Sequence, residues 1–340
     1  MLSIMRSIRK SKSALKLNAS QRQAVDQWQI DQIPDLSAKT VVITGANSGI
    51  GYEAALVFAQ KHATVYLACR NAQKLDKAIS KIKSIVPHAQ LEALILDLSD
   101  LSSVQQASDF LKSKLTKIDI LCNNAGVMAP PYQLTKDGFE LQIGTNHFGH
   151  FAWTLNLMPL LLKGESRIVN ISSMAHRGGE IDFDDLPKVE NYEPWRAYFQ
   201  SKLANLIFTM GLIQKLEQLK AKDPQLGLNI PKVVACHPGY SATELVNNGQ
   251  KFYWHHRFVK PLINLANAIF GQSQKIGAMP TLMASTHPLV ESGDYIGPKG
   301  FMLMRGLATW EVPDDKVYEQ TTIDRLWALS EELTKTAWQF

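Results

Sequence analysis

The chain has 340 residues, of which 45% are apolar and 20% charged, as in a globular protein with a full hydrophobic core. The net charge of +5 comes from the first 25 residues, which hold six Lys and Arg and no Asp or Glu. Because the rest of the chain is nearly neutral, its composition argues against a nucleic-acid-binding surface spread over the fold.

The basic N-terminal segment is the first feature in chain order. It lacks the uninterrupted apolar stretch of a secretory signal, and no run of about 20 apolar residues that could span a bilayer follows it. We predict a solvated tail, with a peripheral membrane anchor or an organelle transit peptide as alternatives. Residues 23–36 are predicted to form a lead-in helix and loop, so that region 1–36 precedes the folded domain.

Short apolar runs alternate with segments of helical length from Thr40 onward. The predicted strands are Thr40–Thr44, Thr64–Cys69, Leu91–Asp97, Ile118–Asn123, Arg167–Ser172 and Lys232–His237. The predicted helices include Tyr52–Lys61, Ala72–Val86, Ser102–Lys114 and Trp195–Leu219. Strands that are apolar throughout are buried on both faces, which indicates a parallel sheet flanked by helices: a single doubly wound Rossmann domain of the α/β class.

This predicted domain covers residues 37–300. It includes a segment at about 240–272 that is expected to close over the substrate, and it is followed by a C-terminal extension, 301–340, with a final helix. The three cysteines, Cys69, Cys122 and Cys236, lie at or near the ends of apolar runs without C-x-x-C spacing. They predict neither disulfides nor a metal site and fit a reducing, cytoplasmic location.

A glycine-rich turn, Thr44-Gly-Ala-Asn-Ser-Gly-Ile-Gly51, follows the first predicted strand and leads into a helix. Glycines permit a tight turn and a close approach of the backbone to a pyrophosphate, and the helix N-terminus adds N–H groups and a favourable dipole. This context favours nucleotide binding over a purely structural turn. The predicted cofactor residues here are Gly45, Asn47, Ser48, Gly49, Ile50 and Gly51.

The end of the second predicted strand bears on the choice of cofactor. Folds that prefer NAD usually place an acidic residue there for the ribose 2′-hydroxyl, whereas this chain has Arg70. Because a guanidinium can pair with a 2′-phosphate, we predict that NADP(H) is preferred over NAD(H). The alternative is that Arg70 is a surface residue at the start of the next helix.

Tyr198 and Lys202 are spaced four residues apart in a predicted helix and therefore share one face. A tyrosine is a poor base at neutral pH, but a nearby ammonium favours the phenolate and lowers its pKa. Two serines, Ser172 and Ser173, end a predicted strand at the sheet edge where doubly wound folds bind ligands. Asn146 interrupts a region that otherwise favours a helix.

With these residues in place, the chain resembles the short-chain dehydrogenase/reductase superfamily. The matching stretches are T-G-A-N-S-G-I-G at 44–51, D-L at 97–98, N-N-A-G at 123–126, Asn146, S-S at 172–173, Y-F-Q-S-K at 198–202, and H-P-G at 237–239 with Thr243. More narrowly, A-C-R-N, T-N-H-F-G-H-F, I-D-F-D-D-L and A-Y-F-Q-S-K-L-A-N resemble the retinol dehydrogenase and protochlorophyllide reductase-like branch.

The resemblance implies a role for each matching residue. Tyr198 is implied to be the general acid/base, and Lys202 to lower its pKa and hold the nicotinamide ribose. Ser173, which precedes x-Ala as in the family, is implied to hydrogen-bond the substrate oxygen, and Asn146 to hold a water that connects Lys202 to solvent. The further cofactor-binding residues implied are Asp97, Leu98, Asn124, Ala125, Gly126, Pro238, Gly239 and Thr243, with Asp97 at the adenine and the last three at the nicotinamide.

The interval from Ser173 to Tyr198 is 25 residues, about twice the common spacing in the superfamily, and the narrower branch shares this insertion. It contains Asp182, Asp184 and Asp185, which we expect to be solvated or paired with arginines rather than to bind a metal. The histidines His147, His150 and His237 have no carboxylate or cysteine at ligand spacing and are predicted to be satisfied core or edge residues.

Together these features predict an NADP(H)-dependent oxidoreductase acting on a carbonyl or alcohol. The aromatic and apolar composition of 251–270 favours a bulky apolar, retinal-like aldehyde or ketone. The alternatives are a C=C reductase similar to protochlorophyllide reductase and a non-catalytic NADP-binding sensor; the intact catalytic residues argue against the sensor. The resemblance also implies a homodimer through the helices carrying Asn146 and Tyr198, although the branch includes monomers.

Overall fold

The fold is built around a central sheet. The structure is a computed structural model, and it describes residues 27–186, 191–224, 229–239, 272–300 and 303–340. Its strands are β1 Thr40–Thr44, β2 Thr64–Cys69, β3 Leu91–Ile95, β4 Ile120–Asn123, β5 Arg167–Ile171, β6 Lys232–Cys236, β7 Tyr295–Pro298 and β8 Ala308–Glu311. They lie in the order β3-β2-β1-β4-β5-β6-β7-β8, and all neighbours are parallel except β7 and β8. This confirms the doubly wound Rossmann fold.

Burial follows strand position in the sheet. The strands in the middle, such as β4 and β5, are buried almost throughout because helices cover both faces. At the edge, β3 buries Leu91 and Leu94 and exposes its other residues. The six predicted strands therefore all form, and their observed ends lie within two residues of the predicted ones.

Helices cover the two faces of the sheet. They are α1 Gly49–Gln60, α2 Ala72–Ile85, α3 Leu101–Lys114, α4 Gly149–Leu161, α5 Pro194–Lys222, α6 Gln274–Gly277, α7 Met279–Thr286 and α8 Gln320–Thr334. Side chains fix several helix starts: Asn71 accepts a hydrogen bond from the Lys74 amide at α2, and Asp100 accepts from two amides at α3. Shorter helical turns are Ile30–Gln32, Leu141–Ile143, Met174–Gly178 and Asp315–Tyr318, and Gly144–Phe148 forms a π-helical turn.

The C-terminal extension is built into the same sheet. Strand β8 adds an antiparallel edge to β7, and α8 packs on α4 and α5. In that contact Trp327 lies against Phe151 and Phe208, with ring centroids 5.1 and 6.0 Å away. A Cβ at Gly211 of α5 would come within 2.9 Å of the Trp327 ring, so this glycine permits the close approach.

The predictions for the N-terminal region and the lid concern residues that the structure describes only in part. From residue 27 onward the lead-in region forms only the short turn Ile30–Gln32, and it packs Trp28 and Leu36 against the core. The basic tail and residues 240–271 of the predicted lid lie outside the described residues. Within the described part of the chain, no helix has both the length and the apolar character needed to cross a membrane.

Candidate active site

A cleft of about 580 Å³ opens at the carboxyl ends of the parallel strands, where this fold type binds its ligands. It runs from the β1–α1 turn to the side chains of α5. The predicted site residues in its wall are Gly45, Asn47, Ser48, Gly49, Ile50, Gly51, Arg70, Asp97, Leu98, Asn124, Ala125, Gly126, Tyr198, Lys202 and Pro238. Ser173, Asn146 and Gly239 lie in the turns and helix next to them, and Thr243 lies outside the described residues.

The glycine turn has the backbone form that a phosphate cradle needs. Gly45 and Gly49 have φ angles of 68° and 62°, in the left-handed region. A Cβ at Gly51 would lie 2.5 Å from both the Gly45 carbonyl oxygen and the Asn124 carboxamide nitrogen. The side chain of Ser48, the N-cap of α1, makes no capping hydrogen bond. The first-turn N–H groups are therefore free of a side-chain cap and suited to an anionic ligand.

The ends of β1 and β4 are joined by the Thr44 hydroxyl. Its oxygen accepts hydrogen bonds from the amides of Asn124 and Ala125, both at 2.9 Å, while the Asn124 carboxamide donates to the Thr44 carbonyl at 2.7 Å. The His150 ring completes the network, since its Nδ1 lies 3.1 Å from the Asn146 carbonyl oxygen and its Nε2 lies 2.9 Å from the Thr44 hydroxyl. His150 is therefore a satisfied core histidine that connects the cradle to Asn146.

Two basic side chains line the cleft beyond the end of β2. Arg70, the predicted one, is exposed, and Lys74 stands one helical turn further on, in the first turn of α2. The Asp97 carboxylate on the same side of the cleft accepts hydrogen bonds from the Ser99 amide at 3.0 Å and the Ser99 hydroxyl at 2.6 Å. The positive charges thus lie where a nucleotide ribose would meet the end of β2.

Tyr198 and Lys202 stand one turn apart on α5 and face the cleft. The Lys202 Nζ lies 5.8 Å from the centroid of the Tyr198 ring and donates to the Ile171 carbonyl at 3.2 Å. Burial raises the pKa of Tyr198 to about 12, opposed by a hydrogen bond with Ser173, and burial lowers the pKa of Lys202 to about 8. The pKa of Tyr198 is therefore raised and not lowered as expected, because burial outweighs the effect of Ser173.

The two serines at the end of β5 have different partners. Ser172 is buried, and its hydroxyl donates to the Lys202 carbonyl at 2.7 Å. Ser173 is only half-buried; its hydroxyl accepts from the Ala175 amide at 3.2 Å, and its side chain opposes the rise in the pKa of Tyr198. Ser172, which lines the cleft, is therefore bound to the backbone of α5, whereas Ser173 lies in the turn that follows β5.

Asn146 lies in the π-helical turn Gly144–Phe148, the observed form of the polar interruption noted in the sequence. Its carboxamide accepts from the Val127 amide at 2.8 Å and donates to the Val127 carbonyl and to the Ser201 hydroxyl. Ser201 in turn donates to the Tyr198 carbonyl at 2.8 Å. The Asn146 side chain thus holds the loop after β4 against α5.

Two of the acidic residues between Ser173 and Tyr198 lie close to arginines. Asp182 lies 3.0 Å from Arg196, and Asp184 lies 3.6 Å from Arg325. Among the described residues no group of three or more His, Cys, Asp or Glu side chains could hold a metal ion.

The sequence analysis did not identify Lys74, which lines the cleft, or Glu311, which bonds to His237 beside it. Lys74 could have been found, because a helix that starts at residue 72 places it one turn after Arg70. By contrast, Glu311 hydrogen-bonds His237 from a distance of 74 residues along the chain, and no local pattern indicates that pairing.

Comparison with known proteins identifies the family of the chain. The short chain dehydrogenase family profile matches residues 39–253. Retinol dehydrogenase 12 of Homo sapiens is 36% identical over 89% of each chain, and retinol dehydrogenase 13 of Homo sapiens is 42% identical over 62% of this chain and 61% of its own.

Solved structures show the same fold. An uncharacterised protein from Mycobacterium paratuberculosis is 37% identical and superposes with a TM-score of 0.74 over 92% of this chain and 99% of its own. A short chain dehydrogenase from Shigella flexneri 2a, solved in complex with NADP, is 22% identical with a TM-score of 0.55 over 78% of this chain and 98% of its own, a likeness of fold alone. The chain therefore belongs to the short-chain dehydrogenase/reductase family, oxidoreductases that exchange hydride between a nicotinamide cofactor and the carbonyl or alcohol of a small substrate.

Proposed function

We propose that this protein is an NADP(H)-dependent oxidoreductase that interconverts a bulky apolar aldehyde or ketone and its alcohol, with Tyr198 as the general acid/base. The observation that carries the proposal is a continuous cleft that joins a glycine cradle and two basic side chains to the Tyr198–Lys202 pair. The retinol dehydrogenases that match most of the chain support an apolar carbonyl or alcohol as substrate.

The residues present fit an NADP(H) molecule. The Gly45–Gly51 turn leaves space that a Cβ would fill and N–H groups without a side-chain cap, as a pyrophosphate requires. Arg70 and Lys74 supply positive charge for a 2′-phosphate, and no carboxylate replaces them at the end of β2. Lys202 and Pro238 would hold the nicotinamide end of the same cleft.

The chain's own residues would control the proton. When bound, NADPH supplies the hydride to the carbonyl carbon. Because burial raises the pKa of Tyr198 to about 12, its phenol stays protonated at neutral pH and can donate the O–H proton to the much more basic alkoxide oxygen. Ser173, whose side chain also acts on the pKa of this phenol, would orient that oxygen by a second hydrogen bond.

Lys202 would stabilise the phenolate that this transfer leaves on Tyr198. Burial lowers the pKa of Lys202 only to about 8, so most of the ammonium stays charged at neutral pH. Asn146, through its bonds to Val127 and Ser201, keeps the surrounding backbone in place. In the oxidative direction the same groups would accept the alcohol proton.

An exposed aromatic side chain beside Tyr198 supports an apolar substrate. Trp195 is 47% exposed, and its ring lies 6.2 Å from that of Tyr198 in an edge-on arrangement. A substrate with an extended apolar body could cover this ring while its carbonyl reaches Tyr198.

The test is NADPH oxidation by purified protein with a series of apolar aldehydes and ketones of increasing size, including retinal, and with NADH as the comparison. Tyr198→Phe should bind NADPH and lose turnover by a factor of about 10² to 10⁴. Tyr66→Phe, a buried tyrosine of β2 outside the cleft lining, is the matched control and should keep its turnover.

The outcomes separate the proposal from its competitors. NADPH binding without turnover of any carbonyl would favour the C=C reductase or the non-catalytic sensor. Equal activity of Tyr198→Phe and the unmutated protein would contradict the assigned acid/base. A preference for NADH would contradict the reading of Arg70.

Two further expectations belong to this proposal, a membrane contact through the basic tail and a homodimer. The tail lies outside the described residues. Because α8 packs on both α4 and α5, a dimer formed through these helices would have to use other parts of their surface. Sedimentation of the full chain, alone and with anionic vesicles, tests both.

A further inference from the structure

Two histidines, His176 and His237, are fully buried. Each belongs to one of the two turns that flank the catalytic end of the cleft. His176 follows Ser173 in the turn after β5, and His237 precedes Pro238 and Gly239 after β6. The ring of Tyr295 lies between them, with centroids 5.5 Å from His176 and 5.3 Å from His237. Neither histidine has a role in the proton transfer described above.

The hydrogen bonds of His237 determine its tautomer. Its Nδ1 accepts the Gly239 amide at 3.2 Å, so the ring proton is on Nε2, which donates to the Glu311 carboxylate at 2.8 Å. Gly297 makes room for this pair, since a Cβ there would overlap both side chains. The orientation of the Gly239 amide therefore depends on an acceptor in β8.

His176 has the opposite tautomer. Its Nδ1 donates to the Ser173 carbonyl at 2.6 Å, and its Nε2 accepts from the Asp314 amide at 3.1 Å. Both histidines are thus held by the short segment Glu311–Asp314, one by a side chain and one by a backbone amide. This segment adjoins both the serine turn and the Pro238–Gly239 turn.

The Pro238–Gly239 turn is held tightly from other directions as well. Gly239 has a φ angle of 68°, and a Cβ there would overlap the Met304 carbonyl and Pro298. The Gln272 carboxamide donates to the Pro238 carbonyl and accepts from the Gly306 amide. These contacts fix the rest of the turn, so the orientation of the Gly239 amide is the part that depends on His237.

We propose that Glu311 is a positioning residue for the cofactor: through His237 it sets the Pro238–Gly239 turn at the nicotinamide end of the cleft. The inference rests on the proposed use of NADP(H). It predicts that Glu311 matters for the nicotinamide half of the cofactor and not for the half that carries the 2′-phosphate, which would lie near Arg70 and Lys74. Asp314 supports the serine turn in the same way through His176.

The test compares binding of NADPH with binding of 2′-phospho-ADP-ribose, which lacks the nicotinamide. Glu311→Ala removes the acceptor and should weaken NADPH binding about tenfold while leaving 2′-phospho-ADP-ribose unaffected. Glu311→Gln keeps an oxygen that accepts the Nε2 proton and should restore NADPH affinity. Glu291→Ala, which removes an exposed partner of Lys232, is the matched control and should bind both ligands normally.

Each other outcome has a distinct meaning. Equal weakening of both ligands in Glu311→Ala, or of neither, would overturn the positioning role. Failure of the unmutated protein to bind either ligand would instead overturn the proposed function. Should Glu311→Ala not fold, nitrogen-15 NMR of the unmutated protein decides: a proton on Nε2 of His237 and on Nδ1 of His176 is expected, and the reverse pattern at His237 would overturn the inference.

Discussion

Thr44→Val tests the link between the cofactor cradle and the catalytic helix. Valine matches threonine in shape but has no hydroxyl, and the site is 1% exposed. In the structure the Thr44 hydroxyl accepts hydrogen bonds from the amides of Asn124 and Ala125 and forms a third with the His150 ring, each at 2.9 Å. The substitution leaves three groups without this partner, in the wall of the cleft and directly behind it.

The loss of unfolding free energy in Thr44→Val depends on which of these three groups have another hydrogen-bond partner. The Asn124 amide also has the Cys122 carbonyl at 3.0 Å, so its loss is small. The Ala125 amide and the His150 Nε2 lose their hydroxyl partner, and an unsatisfied buried polar group costs about 1–3 kcal/mol. Since Ala125 is only half-buried and water can reach it in part, the expected loss of unfolding free energy is about 2–4 kcal/mol.

Urea unfolding followed by circular dichroism measures this loss, with Thr44→Ser as the control. Serine keeps the hydroxyl and loses one methyl group, so it should cost only about 1 kcal/mol. Thr44→Val should also weaken NADPH binding, because the Asn124 and Ala125 backbone lines the cleft. A valine variant as stable as the unmutated protein, or more stable than the serine variant, would refute the role assigned to the hydroxyl.

Three further predictions follow from the site. Arg70→Ala should lower kcat/KM for NADPH about tenfold and leave kcat/KM for NADH unchanged. The double variant Arg70→Ala, Lys74→Ala should lower kcat/KM for NADPH further. An equal loss with NADH would contradict the 2′-phosphate role of these side chains. Gly51→Ala should abolish cofactor binding measured by calorimetry, since its Cβ would lie 2.5 Å from the Gly45 carbonyl oxygen; normal affinity would show that the cradle is not used. Burial lowers the pKa of His150 and of His176 to about 4, from about 6.5 unfolded, so the unfolded chain binds more protons and stability should fall as the pH drops from about 6.5 towards 4. An unfolding midpoint in urea that is the same at about pH 7 and about pH 5 would contradict this.

Much of the sheet could be predicted because its information is local. A strand buried on both faces appears in the sequence as an apolar run, and β1 and β2 begin and end where those runs do. The glycine turn and the Tyr198–Lys202 spacing are local as well, since a short stretch of backbone positions all of their atoms. The cleft therefore contains most of the residues that the sequence indicated.

The parts that the sequence did not indicate depend on distant residues. The pairing of Glu311 with His237 requires β8 to join the sheet edge through β7, and nothing near Glu311 in the chain signals that partner. The partners of Asn146 in the π-helical turn are also distant in the chain, because its carboxamide is held by Val127 and by Ser201 of α5. The raised pKa of Tyr198 reflects burial, which no spacing of residues reveals.

The packing of α8 also has a consequence for how the protein is made. Synthesis proceeds from the N-terminus, so every strand and the helices carrying Asn146 and Tyr198 emerge before Trp327. Until Trp327 is synthesised, α8 cannot pack on Phe151, Phe208 and Gly211. These residues then form an exposed apolar surface on the nascent chain. We therefore expect the growing polypeptide to be most prone to aggregation on the side of the molecule that bears α4 and α5.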